Sequence, residues 1–249
     1  MVRDTFRDKS YFDEAVEFYE ETILEDVAEL DSSDLTIEIK MRTCFDLINN
    51  IISLMHVKYS RGDSVIEFTP LLNDAITYRR AQKKFADELP LEAQAERIDL
   101  EELHQSDLRN YLKLFSFAYC LNMGKDYYLE LLELIGNQGL DALFDKIAIN
   151  LGDTNRKIAA DTLFKKRFGK LYKVVEGSPE QRPALAKSYM EAWYVLEESP
   201  DIHLLDNDAY DGYWCWEIAL VVKLFNIDDS SFIDHPYYPK DLVHWQDNQ

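Results

Sequence analysis

The sequence predicts an all-α protein, a compact multi-helix bundle that is either continuous or made of two packed helical halves, with essentially no sheet. Three observations carry this expectation. Apolar residues recur at steps of three or four in segment after segment, no stretch alternates convincingly with period two, and the breaks hold residues that stop and cap helices. With 249 residues, 47% of them apolar and 13% aromatic, against eight Gly and seven Pro, the chain has material for a core and reads as globular throughout.

From Tyr11 to Leu30 the residues Phe12, Val16, Tyr19, Ile23, Val27 and Leu30 form one stripe, which predicts a first helix. Asp13, Glu14, Glu17, Glu20, Glu21, Glu25, Asp26 and Glu29 surround it, and no Lys or Arg occurs between Asp13 and Asp34. Asp34 is the expected cap of a second helix running toward Tyr59, whose Met41, Cys44, Phe45, Ile48, Ile51, Ile52 and Met55 cover most of its circumference and mark it as central. Arg61-Gly62-Asp63-Ser64 supplies a stop and a fresh cap; the third helix follows with Val65, Phe68, Leu72 and Ile76, kinked early at Pro70. Residues 89–105 read as a polar connection containing a partly helical Glu-rich piece.

A strongly apolar helix starts at Ser106 and runs to Gly124, and shorter ones are expected at Asp126 to Ile135, Leu140 to Asn150 and Asn155 to Tyr172, separated by Gly136, Gly139 and Gly152. Two more, Glu180 to Leu196 and Tyr210 to Phe225, precede an ordered tail around Pro236 and Pro239. The organisation expected is an N-terminal helical part over 1–125 and a C-terminal helical part with its Pro- and Tyr-rich tail over 126–249.

Twenty-seven Lys and Arg stand against 47 Asp and Glu, a formal charge of −20. Such a field repels phosphate backbones, so direct nucleic-acid binding is not expected; it attracts basic protein surfaces. Arg156, Lys157, Lys165, Lys166, Arg167, Lys170 and Lys173 form the one concentrated basic stretch, interrupted by Asp161. A solvated helix face is its plain reading; docking against the acidic first helix, within the chain or across a homodimer, is the other. Cys44, Cys120 and Cys215 are far apart, odd in number and set among apolar residues, as buried thiols of a reducing compartment are. No signal-peptide core follows Met1 and no long apolar run appears later, so a cytoplasmic protein without a membrane partner is expected.

No motif brings catalytic chemistry. There is no glycine pattern for phosphate binding and no HExxH, and His56, His104, His203, His235 and His244 lie in different segments. Glu101 and His104 make a single Glu-x-x-His where a di-iron centre takes two, which reads as chance. Asp206, Asp208 and Glu217 imitate positions one, three and twelve of a calcium-binding loop, but Tyr210 stands at position five, which wants an oxygen ligand, and Asp211 at position six, which wants glycine; helix capping by Asp208 or Asp211 is the simpler reading. Arg61-Gly62-Asp63 spells an adhesion tripeptide and reads here as a turn. Trp193, Trp214, Trp216 and Trp245 sit amid Leu, Ile and Val, as core residues do. The expectation is no cofactor, no metal and no catalysis.

The segment YDGYWCWEIALVVKLFNIDDSSFIDHPYYPKDLVHW from Tyr210 to Trp245 resembles the C-terminal signature of the PoNe-type nuclease immunity proteins. RDKSYFDEAVEF from Arg7 to Phe18 and YSRGDS from Tyr59 to Ser64 are similar to the N-terminal half of that family, in the same order. The resemblance implies an all-helical protein in two parts that binds and neutralises a DNA-degrading toxin of a polymorphic or type VI secretion system, without catalysis. It makes Tyr213, Trp214, Trp216 and Glu217 structural and does not locate the interface. The charge pattern does offer a location: Glu17, Glu21 and Glu25 repeat every four residues on the side of the first helix away from its apolar stripe, with Asp206, Asp208 and Asp211 as a second anionic patch. A helical adaptor for some other basic protein is the alternative reading.

Overall fold

The computed structural model describes residues 2–30, 32, 34–197, 200–205 and 207–248, without the side chains of residues 96, 99, 247 and 248. Eleven α-helices and four short 3-10 turns make up its regular structure, and no strand occurs among the described residues. The chain divides into two compact units, residues 1–102 with 203–212, and residues 103–202 with 213–249. This division falls earlier than the expected boundary at 126, because the helix over 105–120 packs on the one over 216–225, and it returns a ten-residue segment of the C-terminal half to the first unit.

In the first unit α1 (Lys9–Leu30), α2 (Ile37–Arg61) and α3 (Phe68–Glu88) pack in sequence, with α2 touching both neighbours. Its burial explains this place: Met41, Cys44, Leu47, Ile51, Leu54, Met55 and Val57 are all buried and cover more than half of the helix circumference. The cap of α2 is Thr36, whose hydroxyl accepts from the Ile39 amide at 3.3 Å; the expected cap, Asp34, lies two residues too early. Gly62 ends the helix in the left-handed region at φ 102°, where a side chain would be strained. The Arg61–Asp63 pair, at 2.5 Å, folds the turn on itself, as its plain reading had it. Pro70 lies in the first turn of α3, where no amide donor is needed, so the expected kink is replaced by a helix start behind a short 3-10 turn at Val65–Glu67. The connection that follows holds a short helix, α4 (Gln94–Glu101), whose Leu100 covers a small cluster of Met41, Ala86 and Leu89.

The second unit is built on α10 (Trp216–Phe225), in which every residue from Trp216 to Val222 is buried. Ten residues form a marginal helix in isolation, so its stability comes from packing on α5 (Gln105–Cys120), α7 (Ala142–Leu151), α8 (Lys165–Glu176), α9 (Arg182–Leu196) and α11 (Lys240–Val243). Between α5 and α7 lies α6 (Lys125–Ile135), a helix buried on one side. The tail is ordered over this core: the Cys215 amide donates to Tyr237 O at 2.9 Å, and Tyr238 Oη and His244 Nε2 both meet Asp229 Oδ2, at 2.6 and 2.7 Å. Trp193, Trp214 and Trp216 are buried, and Trp245 donates from Nε1 to Cys120 O.

The helix expected from Asn155 to Tyr172 starts ten residues late. Residues 153–164 are irregular, and α8 begins only at Lys165. Two buried aspartates hold this segment. Asp145 Oδ1 accepts from Arg156 Nε at 2.6 Å and its Oδ2 from the Ala159 amide at 2.9 Å, while Asp141 Oδ2 accepts from Thr162 Oγ1 at 2.6 Å and the Leu163 amide at 2.7 Å. The basic stretch is therefore not one solvated helix face: Arg156 and Arg167 are buried, and Lys157, Lys165, Lys166, Lys170 and Lys173 are exposed.

Candidate functional site

The first unit carries the candidate site on α1. Phe12 and Val16 are fully packed, Tyr19, Ile23, Val27 and Leu30 are half-buried, and the opposite side of the helix is solvent. Glu14, Glu17, Glu20, Glu21, Glu25 and Glu29 are all exposed there. Lys58 reaches Glu20 at 2.7 Å, and Lys9 and Arg61 both pair with Asp13 at the start of the helix. Cations thus neutralise the beginning and one edge of α1, and the Glu17, Glu21 and Glu25 row is left to solvent.

Two further properties belong to this helix. Phe18 and Leu24 are 60% and 69% exposed although both are large and apolar. Each lies three residues from Glu21, one before it and one after, so the anionic row is bracketed by hydrophobic side chains. Along the edge facing α2, Asp26 and Asp46 are both held above the ordinary aspartate range: burial is the main cause for each, Glu29 and Glu25 add repulsion at Asp26, and Asp26 does so at Asp46. An Asn50 amide donating to Asp26 at 3.1 Å offsets part of this.

The second predicted patch lies in the segment 203–212. Tyr210 Oη donates to Asp4 Oδ2 at 2.5 Å, the Tyr210 amide to Tyr11 Oη at 3.1 Å and Ser60 Oγ to Asp211 O at 2.6 Å, while Arg7 Nη2 donates to the carbonyls of His203 and Leu205 at 2.9 and 3.1 Å. These bonds fix the segment against the start of α1 and the end of α2. Asp208 is exposed and Asp211 half-exposed, and their charges reach α1: both help to raise the Tyr11 and Tyr19 hydroxyls, for which burial is the main cause and which takes Tyr19 to about 12. Asp206 lies outside the described residues. The structure therefore gathers Glu17, Glu21, Glu25, Asp208 and Asp211 into one unit.

Glu217, the last member of the calcium-like pattern, has a different task. It is buried, and its Oε1 accepts from Tyr189 Oη at 2.7 Å, Arg167 Nη2 at 2.9 Å and Trp193 Nε1 at 3.0 Å. Burial alone would raise this carboxyl; the Arg167 charge and the donated hydrogen bonds outweigh it and hold the pKa below the ordinary glutamate value. Glu197 shares the same guanidinium at 2.8 Å. Asp208 and Asp211 do not cap α10, which begins at Trp216 behind Cys215. Glu101 ends α4 and His104 precedes α5, so that pair is split between two helices. Among the described residues no group of three or more His, Cys, Asp or Glu is placed to hold a metal ion, and no helix is long and apolar enough to cross a membrane.

Other reactive groups are tied into the fold. Cys44, Cys120 and Cys215 are buried free thiols, and burial pushes Cys44 to about 11 and Cys120 to about 12. A hollow of about 200 Å³ in the second unit is lined by Lys187, Glu191, Phe232 and His235 among others. His235 there accepts from the Tyr237 amide at 3.3 Å and serves a turn of the tail.

The described residues form an acidic, all-helical protein in two compact units, with a solvent-facing anionic helix on the first. The chain belongs to the PoNe immunity protein (PoNi) family: the family's N-terminal profile matches residues 3–133 and its C-terminal profile residues 139–242. Its fold is that of protein PA2201 from Pseudomonas aeruginosa, whose crystal structure matches with a TM-score of 0.68 at 21% identity, over 92% of this chain and 87% of the other. A search of curated protein sequences gave no significant match.

Sequence reasoning missed Phe18 and Leu24. The signal was present: each stands one position beside a stripe residue, Tyr19 and Ile23, and so falls off the helical repeat that marks the core.

Proposed function

We propose that this chain binds and neutralises a cognate DNase toxin, a type VI secretion effector, in the cytoplasm, and that it does so by occupancy and not by catalysis. The observation that carries the reading is membership of the immunity family over both halves of the chain. The formal charge of −20 supports the choice of a nuclease as target. A nuclease must present cations to the DNA phosphates, and an acidic helix can occupy or cover that surface. The docking face is the solvent side of α1 with Glu17, Glu21 and Glu25, extended by Asp206, Asp208 and Asp211.

The test is coexpression of this chain with the nuclease encoded beside it, together with a DNA-digestion assay on the purified pair. Survival of the cells and stoichiometric loss of nuclease activity are expected. Death of cells that contain folded protein sinks the reading.

A further inference from the structure

We propose that Phe18 and Leu24 are the apolar anchors of the docking face on α1, and that the partner surface they fit is a basic one with an apolar hollow between its cations. The inference rests on the immunity reading and names the chemistry of its partner surface.

Charge by itself explains attraction and not fit. Exposed carboxylates keep most of their hydration when a cation approaches, so rim charges mostly set association rate, whereas buried apolar anchors set residence time. An all-glutamate face would serve any cationic surface. On α1 the two large hydrophobic side chains flank the anionic row on either side: Phe18 precedes Glu21 by three residues and Leu24 follows it by three, with Glu17 and Glu25 as their sequence neighbours. Both are mostly exposed, at 60% and 69%, and Ala28, one turn beyond Leu24, is exposed as well and leaves room for an approaching surface.

The core does not account for the pair. The stripe that packs α1 is complete without them in Phe12, Val16, Tyr19, Ile23, Val27 and Leu30. The carboxylates beside them, Glu17, Glu21 and Glu25, are exposed and favour a cationic partner over a neutral one, since a guanidinium or ammonium docked on the row offsets their mutual repulsion. A basic partner rim around an apolar hollow meets every feature of the face.

The experiment compares Phe18→Ala/Leu24→Ala with Glu17→Lys/Glu21→Lys/Glu25→Lys, each checked by circular dichroism and urea unfolding. Binding of the catalytically inactivated neighbouring nuclease is followed kinetically at low and moderate salt, and the sedimentation of each chain alone is recorded. The double alanine variant should weaken binding on the order of 100-fold, mainly through faster dissociation and at both salt concentrations, while Phe18→Leu/Leu24→Met retains most of the affinity. The triple reversal should slow association, with an effect that shrinks as salt rises. Unchanged nuclease affinity in the double variant overturns the anchors and leaves the acidic docking face standing. Loss of self-association with nuclease affinity intact overturns them in favour of a second copy of this chain. A wild-type chain that does not bind the nuclease sinks the immunity reading, and the anchors with it.

Discussion

The acids of α1 and the acids of the second unit are the same two residue types put to opposite uses. Glu17, Glu21 and Glu25 are exposed, whereas Asp141, Asp145 and Glu217 are buried and each accepts several hydrogen bonds from within its own unit. A buried carboxylate must be paired or it costs several kcal/mol, so its partners are fixed by the fold. An exposed one keeps water as its partner and can exchange it for a cation. Charge count alone does not separate the two groups; burial does.

The comparison breaks first, and most heavily, at Glu217. Replacing it with Ala leaves the Arg167 guanidinium with Glu197 and the Tyr189 hydroxyl and removes the acceptor of Tyr189 and Trp193 from a buried site. Loss of a buried charge pair costs about 3–5 kcal/mol, and a cavity beside Trp193 places this variant at the upper end. Urea unfolding of the variant should show it; a loss below about 1 kcal/mol would mean that the network is ornamental.

This network also marks the limit of what was legible beforehand. Helix identity could be read from spacing for α1, α2 and α5, because long amphipathic runs leave little freedom. In the Tyr213 to Glu217 cluster the tryptophans were legible as core from their apolar neighbours, but Glu217 was legible as structural only through the family likeness, since nothing local pairs it with Arg167, fifty residues away. Residues 155–164 depart from the helix that their local pattern favours because the capping demands of Asp141 and the Arg156–Asp145 pair are tertiary and override it. On α1 the acidic face was legible, and its apolar members were not, because an off-register Phe or Leu looks like core noise until exposure is known.

Asp145→Ala should have the next largest effect. It frees Arg156 Nε and the amides of Gly139 and Ala159, but Asp153 stands 3.6 Å from Arg156 and water can reach the half-exposed amides, so the loss should be about 3 kcal/mol, at the low end for a buried pair. Hydrogen exchange should rise across residues 153–164 and stay low in α10. Uniform exchange across the unit would show that Asp145 does not hold this segment specifically.

Between the two groups stands Glu197, raised above the ordinary glutamate value chiefly by burial, against the pull of Arg167 and with the push of Glu217. A carboxyl whose folded pKa exceeds its unfolded one binds its proton more tightly in the folded state, so its ionised form is a burden that is relieved as pH falls through the folded value. Glu217 has the opposite sign: its contribution is complete above the unfolded value and is lost as pH falls through its lowered one. Mild acidification from neutrality should therefore relieve Glu197 before it harms Glu217. Urea midpoints at pH 7 and about pH 5 should differ less in Glu197→Gln than in the wild type. An identical shift in both would remove Glu197 from the pH response.

The smallest effect on folding is expected where the charges are densest. In Glu17→Lys/Glu21→Lys/Glu25→Lys the three changes lie within a helix of 22 residues, Lys and Glu have similar helix propensity, and all three side chains are exposed. Each reversal removes two units of negative charge from a chain at −20, which lowers self-repulsion. New contacts of the lysine introduced at position 17 with Glu14 and Glu20, and of that at position 25 with Glu29, act in the same direction, at exposed positions where such pairs are worth little, while the lysine at position 21 meets the other two in place of the former glutamate pairs. The urea midpoint should thus stay unchanged or rise slightly at low salt, and any rise should vanish at high salt as the field is screened. A clear fall would mean that the α1 glutamates support the fold, as Glu217 does, and that this row is not held in reserve for a partner.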